Sequence, residues 1–293
     1  IERASIGSLL DHEGAFGVSE KFTAKTFGSD DSYSVVVGTS GSNRTVFQAC
    51  MTEGDIAVCD RNCHKSIEQG LILTGAVPVY MVPTRNRYGI IGPIHRSEMT
   101  PEAIAAKISD SPIRKGKDKP AYAVVTNCTY DGLCYNAAKV EAELDKSVDR
   151  IHFDEAWYGY ARFNPMYEDH FAMRGDPEKH KGATIFATHS THKLLNALSQ
   201  ASYIHVRNGR NPVDFDRFNQ AYMMHATTSP LYAICASNDI STAMMHNNGE
   251  SLTREVIAEA VDFRQAMAKL YREFTKKGSW FFKPWNADQV KDH

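Results

Sequence analysis

Tyr33-Ser34-Val35-Val36-Val37 is followed by Gly38-Thr39-Ser40-Gly41-Ser42-Asn43 and then by helical periodicity over residues 44–51. This order predicts a buried strand, a tight loop of small and hydroxyl residues, and a helix. Backbone N–H groups at the start of such a helix favour phosphate binding, although a loop of this kind is also common as a simple turn. The spacing matches neither the GxGxxG fingerprint nor the Walker P-loop, so it argues against dinucleotide and nucleoside triphosphate sites.

The same alternation continues along the chain. Apolar runs that predict strands occupy residues 56–58, 77–82, 121–125, 151–153, 184–187 and 201–206, and helical patterns cover 64–74 and 136–147. Nearly uniform apolar strands between helices predict an α/β fold with a mostly parallel sheet that is buried on both faces. Polar clusters follow several of these strands. Because ligands bind beyond the carboxyl ends of parallel strands, we expect these clusters to share one site.

Beyond residue 206 the sequence becomes helical. Residues 214–239 predict a helix with a break at Thr227-Thr228-Ser229-Pro230, and residues 253–277 predict a long amphipathic helix that ends before Gly278. The apolar positions of that helix are Val256, Ile257, Ala260, Val261, Met267, Leu270, Tyr271 and Phe274. We expect this stripe to pack in the core or against another domain.

Composition places the chain among ordinary globular proteins. It has 293 residues, 42% of them hydrophobic and 23% charged, and 33 Lys and Arg against 35 Asp and Glu give a net charge of −2. This balance gives no indication of a nucleic-acid partner, and no apolar run is long enough to span a membrane. The six cysteines form no CxxC pair, so we expect reduced thiols and a cytoplasmic location.

Three polar side chains at the predicted strand ends carry chemical meaning. Lys193, in Ser190-Thr191-His192-Lys193, can form an imine if its pKa is low enough, although it can also be a solvated lysine at a helix start. Asp154 can hold a cationic nitrogen or cap the next turn. His64 opens a helix. His189 and His192 lack an obvious third ligand, so we predict no metal site.

A phosphate loop, a carboxylate and a lysine at one sheet edge are the parts that a pyridoxal phosphate enzyme requires. At this point the sequence resembles the bacterial ornithine/lysine/arginine decarboxylase family over essentially its whole length. The motifs that carry the resemblance are 38–44, 60–66, 153–157, 190–195 and 227–230, and segments 155–160 and 196–200 resemble the acid-inducible arginine members better than the lysine members.

The resemblance implies an aspartate-aminotransferase-like fold, also called fold type I of pyridoxal phosphate enzymes, with a seven-stranded, mostly parallel sheet. It also implies a role for each matching residue. Lys193 is the Schiff-base lysine, Asp154 contacts the ring nitrogen, and His64 stacks on the ring. The phosphate ligands are Ser40, Gly41, Ser190 and His192, and Ser229 reaches the phosphate site of a neighbouring subunit.

The implied reaction is decarboxylation of L-arginine to agmatine and CO2 with uptake of a proton, in a homodimer or a higher homo-oligomer. The implied domains are a cofactor-binding large domain over 1–250, followed by a long helix and the start of a C-terminal region over 251–293. We expect this chain, which begins at Ile1, to be a piece of a longer protein that also has an N-terminal wing domain.

Other functions remain open at this stage. Decarboxylation of lysine or ornithine uses the same chemistry, and a transaminase would add an arginine that grips the α-carboxylate. A regulatory paralogue without activity would need neither Asp154 nor Lys193 for packing. A metal hydrolase is the least favoured alternative because the histidine spacing is poor.

Overall fold

The protein is described here by a computed structural model, which covers residues 6–279. The helices are α1 (Ala15–Phe27), α2 (Gly38–Cys50), α3 (Lys65–Thr74), α4 (Arg96–Met99), α5 (Pro101–Ser109), α6 (Ala137–Leu144), α7 (Thr191–Leu194), α8 (Phe215–His225) and α9 (Tyr232–Thr275). The strands are β1 (Asp31–Val35), β2 (Ile56–Asp60), β3 (Val77–Met81), β4 (Pro83–Arg85), β5 (Ile91–Ile94), β6 (Pro120–Thr126), β7 (Arg150–Asp154), β8 (Thr184–His189) and β9 (Ser202–Arg207). Short 3-10 helices lie at Ala161–Phe163, Pro165–Tyr167 and Pro177–Lys179.

Seven strands of the described chain form one sheet in the order β1-β9-β8-β7-β6-β2-β3, and β4 and β5 form a separate hairpin. Strands β3, β2, β6, β7 and β8 are parallel neighbours, whereas β9 pairs antiparallel with both β8 and β1. The predicted mostly parallel sheet is therefore confirmed. The carboxyl ends of β2, β6, β7 and β8 meet at one edge, where the polar clusters were expected.

Two apolar clusters fill the space on either side of the sheet. One contains Phe47, Tyr122 and Phe186 and is covered by α2, and the other contains Val125, Phe153 and Ile185 and is covered by α5 and α6. All residues of β2 and β8 are buried, which explains why these strands are almost entirely apolar up to their final polar residues. Among residues 6–279, none of the helices combines the length and apolar character needed to cross a membrane.

The first difference from the sequence-based expectation concerns residues 38–43. They were predicted as a loop, but α2 already begins at Gly38. Ser and Thr usually disfavour a helix because their hydroxyls compete for nearby backbone groups. Here Thr39 and Ser42 form hydrogen bonds with Ser190 and Ser202 instead, so that competition is removed. The small residues bring the helix close to the ends of β8 and β9.

The second difference concerns the long helix. It was predicted from residue 253, but α9 runs from Tyr232 to Thr275 without interruption. Its first half is buried at Ile234, Asn238 and Met245. In its second half Val256 is 63% and Val261 46% exposed. The expectation that this stripe packs in the core is therefore wrong for the described residues, and packing against another domain stays a prediction.

Candidate active site

A cavity of about 370 Å³ lies at the carboxyl edge of the sheet, between the start of α2 and the segment that follows β7. It brings together side chains from six separate parts of the chain, as the strand ends predicted. The lining residues are Gly38, Thr39, Ser40, Asn43, His64, Thr126, Cys128, Tyr130, Asp154, Ala156, Trp157, Ser190, His192, Lys193, Ser199 and Gln200.

Asp154 is the last residue of β7 and is only 3% exposed. Its Oδ2 accepts a hydrogen bond from Asn43 Nδ2 at 2.9 Å, and its Oδ1 accepts one from the backbone N–H of Ala156 at 3.2 Å. Burial raises the pKa of this carboxyl, while the bonds from Asn43 and Ala156 and the charges of His64 and Lys193 lower it. No ion pair within residues 6–279 neutralises Asp154, so its carboxylate is available to pair with a cationic group in the cavity.

His64 caps α3 and points its ring into the cavity. Its Nδ1 accepts the backbone N–H of Ser66 at 3.2 Å and lies 2.8 Å from the Ser66 hydroxyl. Partial burial lowers the pKa of the imidazole. With Nδ1 used as an acceptor, the neutral ring carries its proton on Nε2, which faces away from the helix.

Lys193 lies in the short helix α7, immediately beyond the end of β8. Its Nζ is 4.4 Å from the centre of the Trp157 ring, a cation–π distance. Partial burial lowers the pKa of the amine, and the charge of Asp154 opposes this shift. A lysine with a lowered pKa has a larger neutral fraction at neutral pH, which is the form that attacks a carbonyl.

Another part of the cavity is lined by hydroxyls and by the first turn of α2. Thr39 and Ser40 belong to that turn, whose N–H groups lack partners within the helix. Ser190 Oγ lies 2.6 Å from Thr39 Oγ1. His192 Nδ1 donates to the carbonyl of Ala201 at 2.8 Å, which leaves Nε2 for the cavity. This part therefore suits an anion such as a phosphate.

Two predicted site residues do not line the cavity. Gly41 is buried one residue further into α2, where a Cβ would come within 2.3 Å of Val37 Cγ2, so packing alone accounts for the glycine. Ser229 is exposed on the connection between α8 and α9. Its predicted role in a neighbouring subunit stays a prediction.

Neither Asn43 nor Trp157 was predicted as a site residue, although both lie in motifs that carry the family resemblance. Asn43 is 1% exposed and binds Asp154 directly, and Trp157 covers Lys193. Because residues 38–43 were predicted as a loop, the helical position and the burial of Asn43 could be seen only in the structure, and a buried amide must find partners. Within the part of the chain described, no group of three His, Cys, Asp or Glu side chains could hold a metal ion.

The cavity fits pyridoxal phosphate on its own chemistry. It has an anion-binding end, a buried carboxylate without an ion-pair partner in the described chain, and an amine of lowered pKa. A phosphate, a protonated ring nitrogen and an aldehyde are the three groups that these features suit.

Comparisons with known proteins place the fold first. The described chain has fold type I of pyridoxal phosphate enzymes. A structure described as serine palmitoyltransferase with PLP matches at a TM-score of 0.55, covering 79% of this chain and 51% of the other, with 15% identity, which is a likeness of fold alone.

The family follows from closer matches. The family model described as "Orn/Lys/Arg decarboxylase, major domain" matches residues 1–293, and the chain belongs to this family. The biodegradative arginine decarboxylase of Escherichia coli strain K12 is 72% identical over 100% of this chain and 39% of its own length. The structure of lysine decarboxylase A from Pseudomonas aeruginosa matches with 47% identity and a TM-score of 0.90, over 98% of this chain and 38% of the other. The chain thus spans about 39% of the length of these relatives.

Proposed function

We propose that the longer protein to which this chain belongs decarboxylates L-arginine to agmatine and CO2 with pyridoxal phosphate as cofactor. The observation that carries the proposal is the meeting of Lys193 and Asp154 in one cavity with an anion-binding end. The 72% identity to a biodegradative arginine decarboxylase supports arginine as the substrate.

Each part of the cavity has a role in this proposal. The hydroxyls of Ser40 and Ser190 and the ring of His192 would hold the phosphate, whereas Gly41 does not line the cavity and serves the packing of α2 against Val37. His64 would stack on the cofactor ring, and Asp154 would bind the ring nitrogen. When bound, the cofactor withdraws the electron pair that the departing carboxylate leaves behind.

Side chains of this chain hold and donate the protons that the proposed reaction requires. Asp154, held ionised by a cationic partner, keeps the proton on the ring nitrogen. Lys193 Nζ and His64 Nε2 are two groups of the cavity that can return a proton to the substrate's α-carbon. Because a carboxylate is exchanged for a C–H bond, the reaction takes up one proton, which is useful to a bacterium in acid.

The guanidinium of arginine requires a carboxylate partner, preferably a bidentate one. We place this partner outside the described residues or in a second subunit. Ser229 is exposed and does not line the cavity of its own chain, which supports a homodimer as the smallest active unit. Six free thiols support a location in the reducing cytoplasm.

The experiment is an assay of the full-length protein, loaded with pyridoxal phosphate, for CO2 release from arginine, lysine and ornithine. We expect the largest kcat/KM with arginine. Lys193→Ala is expected to lower kcat by at least about 10²-fold. Lys146→Ala is the matched control, because Lys146 is half exposed, pairs with Glu143 and lies outside the cavity.

The assay also separates the alternatives. CO2 release from lysine or ornithine but not from arginine would overturn the substrate assignment and keep the cofactor. Cofactor binding without CO2 release from any of the three would favour another reaction or a regulatory role.

A further inference from the structure

A row of four buried polar side chains runs along the face of the sheet that α2 covers and ends at Asp154. Tyr122 from β6, His152 from β7, Thr188 from β8 and Asn43 from α2 are each at most 1% exposed. Tyr122 Oη lies 2.5 Å from His152 Nδ1, and His152 Nε2 lies 2.9 Å from Thr188 Oγ1. Thr188 Oγ1 donates to Asn43 Oδ1 at 2.7 Å, and Asn43 Nδ2 donates to Asp154 Oδ2 at 2.9 Å.

Asn43 determines which atom donates and which accepts in every hydrogen bond of this row. Asn43 Oδ1 can only accept, so the single hydroxyl proton of Thr188 is spent on it. Thr188 Oγ1 must therefore accept from His152 Nε2–H. Burial lowers the pKa of His152 to about 3, so the ring is neutral and its Nδ1 accepts the proton of Tyr122 Oη. Each donor thus points toward the carboxylate of Asp154.

A second set of hydrogen bonds connects Asn43 to His64 through Ser66. Its other N–H donates to Ser66 Oγ at 2.9 Å, and the Ser66 hydroxyl lies 2.8 Å from His64 Nδ1. Because Ser66 Oγ accepts from Asn43, its own proton is available to His64. One amide side chain therefore orients both Asp154 and His64, the two residues assigned to the ring.

We propose that Tyr122, His152, Thr188 and Asn43 are positioning residues, whose aligned hydrogen bonds hold the carboxylate of Asp154 ionised and fixed against a cationic nitrogen in the cavity. Each hydrogen bond in the row polarises the next donor and so strengthens the next bond. The last donor, Asn43 Nδ2, therefore stabilises negative charge on Oδ2 of Asp154. The consequence for a ring nitrogen rests on the proposed function, whereas the effect on Asp154 itself does not.

Other groups also face Asp154 and must stay unchanged in any test. They are Asp60 from β2, Tyr130 after β6, His64 before α3 and Lys193 from α7. Asp60 and Asp154 repel each other, while His64 and Lys193 favour the charged form of Asp154. Within the described residues the Thr188 hydroxyl bonds only to His152 and Asn43 and to none of these four, so it is the best point at which to interrupt the row.

The experiment compares Thr188→Val, which removes the hydroxyl at constant shape, with Thr188→Ser, which keeps it. His205→Gln is the matched control. His205 is equally buried in the same sheet, but its hydrogen bonds run through His189 to Glu155 instead of Asp154. Thermal unfolding of all variants of the full-length protein reports any general loss of structure.

The first readout uses the cofactor-free protein and the infrared band of the protonated carboxyl, identified by difference against Asp154→Asn. We expect the pKa of Asp154 to rise by about one unit in Thr188→Val and to remain unchanged in Thr188→Ser and His205→Gln. An unchanged pKa in Thr188→Val, or an equal rise in His205→Gln, would overturn the proposal.

The second readout is the NMR shift of ring-15N-labelled pyridoxal phosphate bound to the full-length protein. We expect a smaller protonated fraction in Thr188→Val than in the wild type and in Thr188→Ser. If the wild type binds no pyridoxal phosphate, the proposed function fails, and the infrared result still decides the role of the buried row.

Discussion

Burial and the neighbouring carboxylate of Asp154 shift the pKa of Lys193 in opposite directions. Partial burial lowers the pKa of its amine, and the negative charge of Asp154 raises it. The same charge favours the protonated form of His64, whose pKa burial lowers. Asp154 therefore decreases the amount of neutral amine that burial would otherwise leave at Lys193.

This opposition gives a prediction for the cofactor-free protein. Asp154→Asn removes the charge that favours protonated Lys193, so the pKa of Lys193 should fall further below its usual range. At a fixed pH near neutrality the neutral fraction rises, and acylation of Lys193 by an amine-reactive reagent should become faster. The pH dependence of the acylation rate, followed by peptide mapping, measures the pKa. A pKa that rises or does not change would contradict this account.

The sequence allowed Lys193, Asp154 and His64 to be predicted because each follows an apolar strand at the edge where ligands bind. The partner of Asp154 could not be predicted. Asn43 lies 111 residues away in the chain and reaches the carboxylate only after α2 has packed over the end of β7. Contacts between distant residues of this kind depend on the packing of whole elements, which local patterns do not encode.

At the scale of elements, α2 and α3 pack closely enough that one position admits only glycine. A Cβ at Gly70 of α3 would lie 2.7 Å from Cγ of the Phe47 ring on α2, and Phe47 is fully buried. Because α2 supplies Thr39, Ser40 and Asn43 to the cavity and His64 caps the start of α3, this contact contributes to the relative position of these two parts of the cavity lining.

We expect Gly70→Ala to destabilise the protein by about 1–3 kcal/mol, the usual cost of overpacking. The gain in helix propensity from alanine, at most about 1 kcal/mol, offsets only part of this cost. Glu68→Ala, at an exposed position of the same helix, serves as the control and should change stability by less than about 0.5 kcal/mol. Urea denaturation measures both, and equal stability of Gly70→Ala and the wild type would show that Phe47 can move aside.

Most elements could be predicted from apolar periodicity, and the errors have physical causes. Residues 38–43 have low helix propensity but become helical, because their hydroxyls bind Ser190, which follows β8, and Ser202 of β9. The break predicted at 227–230 is real, since α8 ends at His225 and α9 begins at Tyr232. The predicted start at residue 253 was too late because α9 buries polar residues such as Asn238 and Thr242, which hides its apolar face.

At the scale of the whole molecule, alternating strands and helices were enough to predict an α/β sheet with its site at one edge. They did not show that β9 runs antiparallel between β1 and β8. Strand order depends on which connections cross the sheet, and short apolar runs look alike in both directions. The parallel strands β2, β6, β7 and β8 carry the site, so this gap did not affect the predicted residues.

The described residues supply the groups that would bind the cofactor in the proposed reaction. The relatives that the chain matches are more than twice as long. The exposed Val256 and Val261 on α9 fit the prediction that this helix packs against another domain. The cavity at the carboxyl edge is the part of the account that this chain supports by itself.

The central claim is that Lys193 binds pyridoxal phosphate covalently. The most direct test is to incubate the full-length protein with pyridoxal phosphate, reduce it with borohydride and identify the modified peptide by mass spectrometry. The account predicts one stoichiometric adduct on Lys193, lost in Lys193→Ala and kept in Lys146→Ala. A stoichiometric adduct on a different lysine, or no adduct at saturating cofactor, would contradict it.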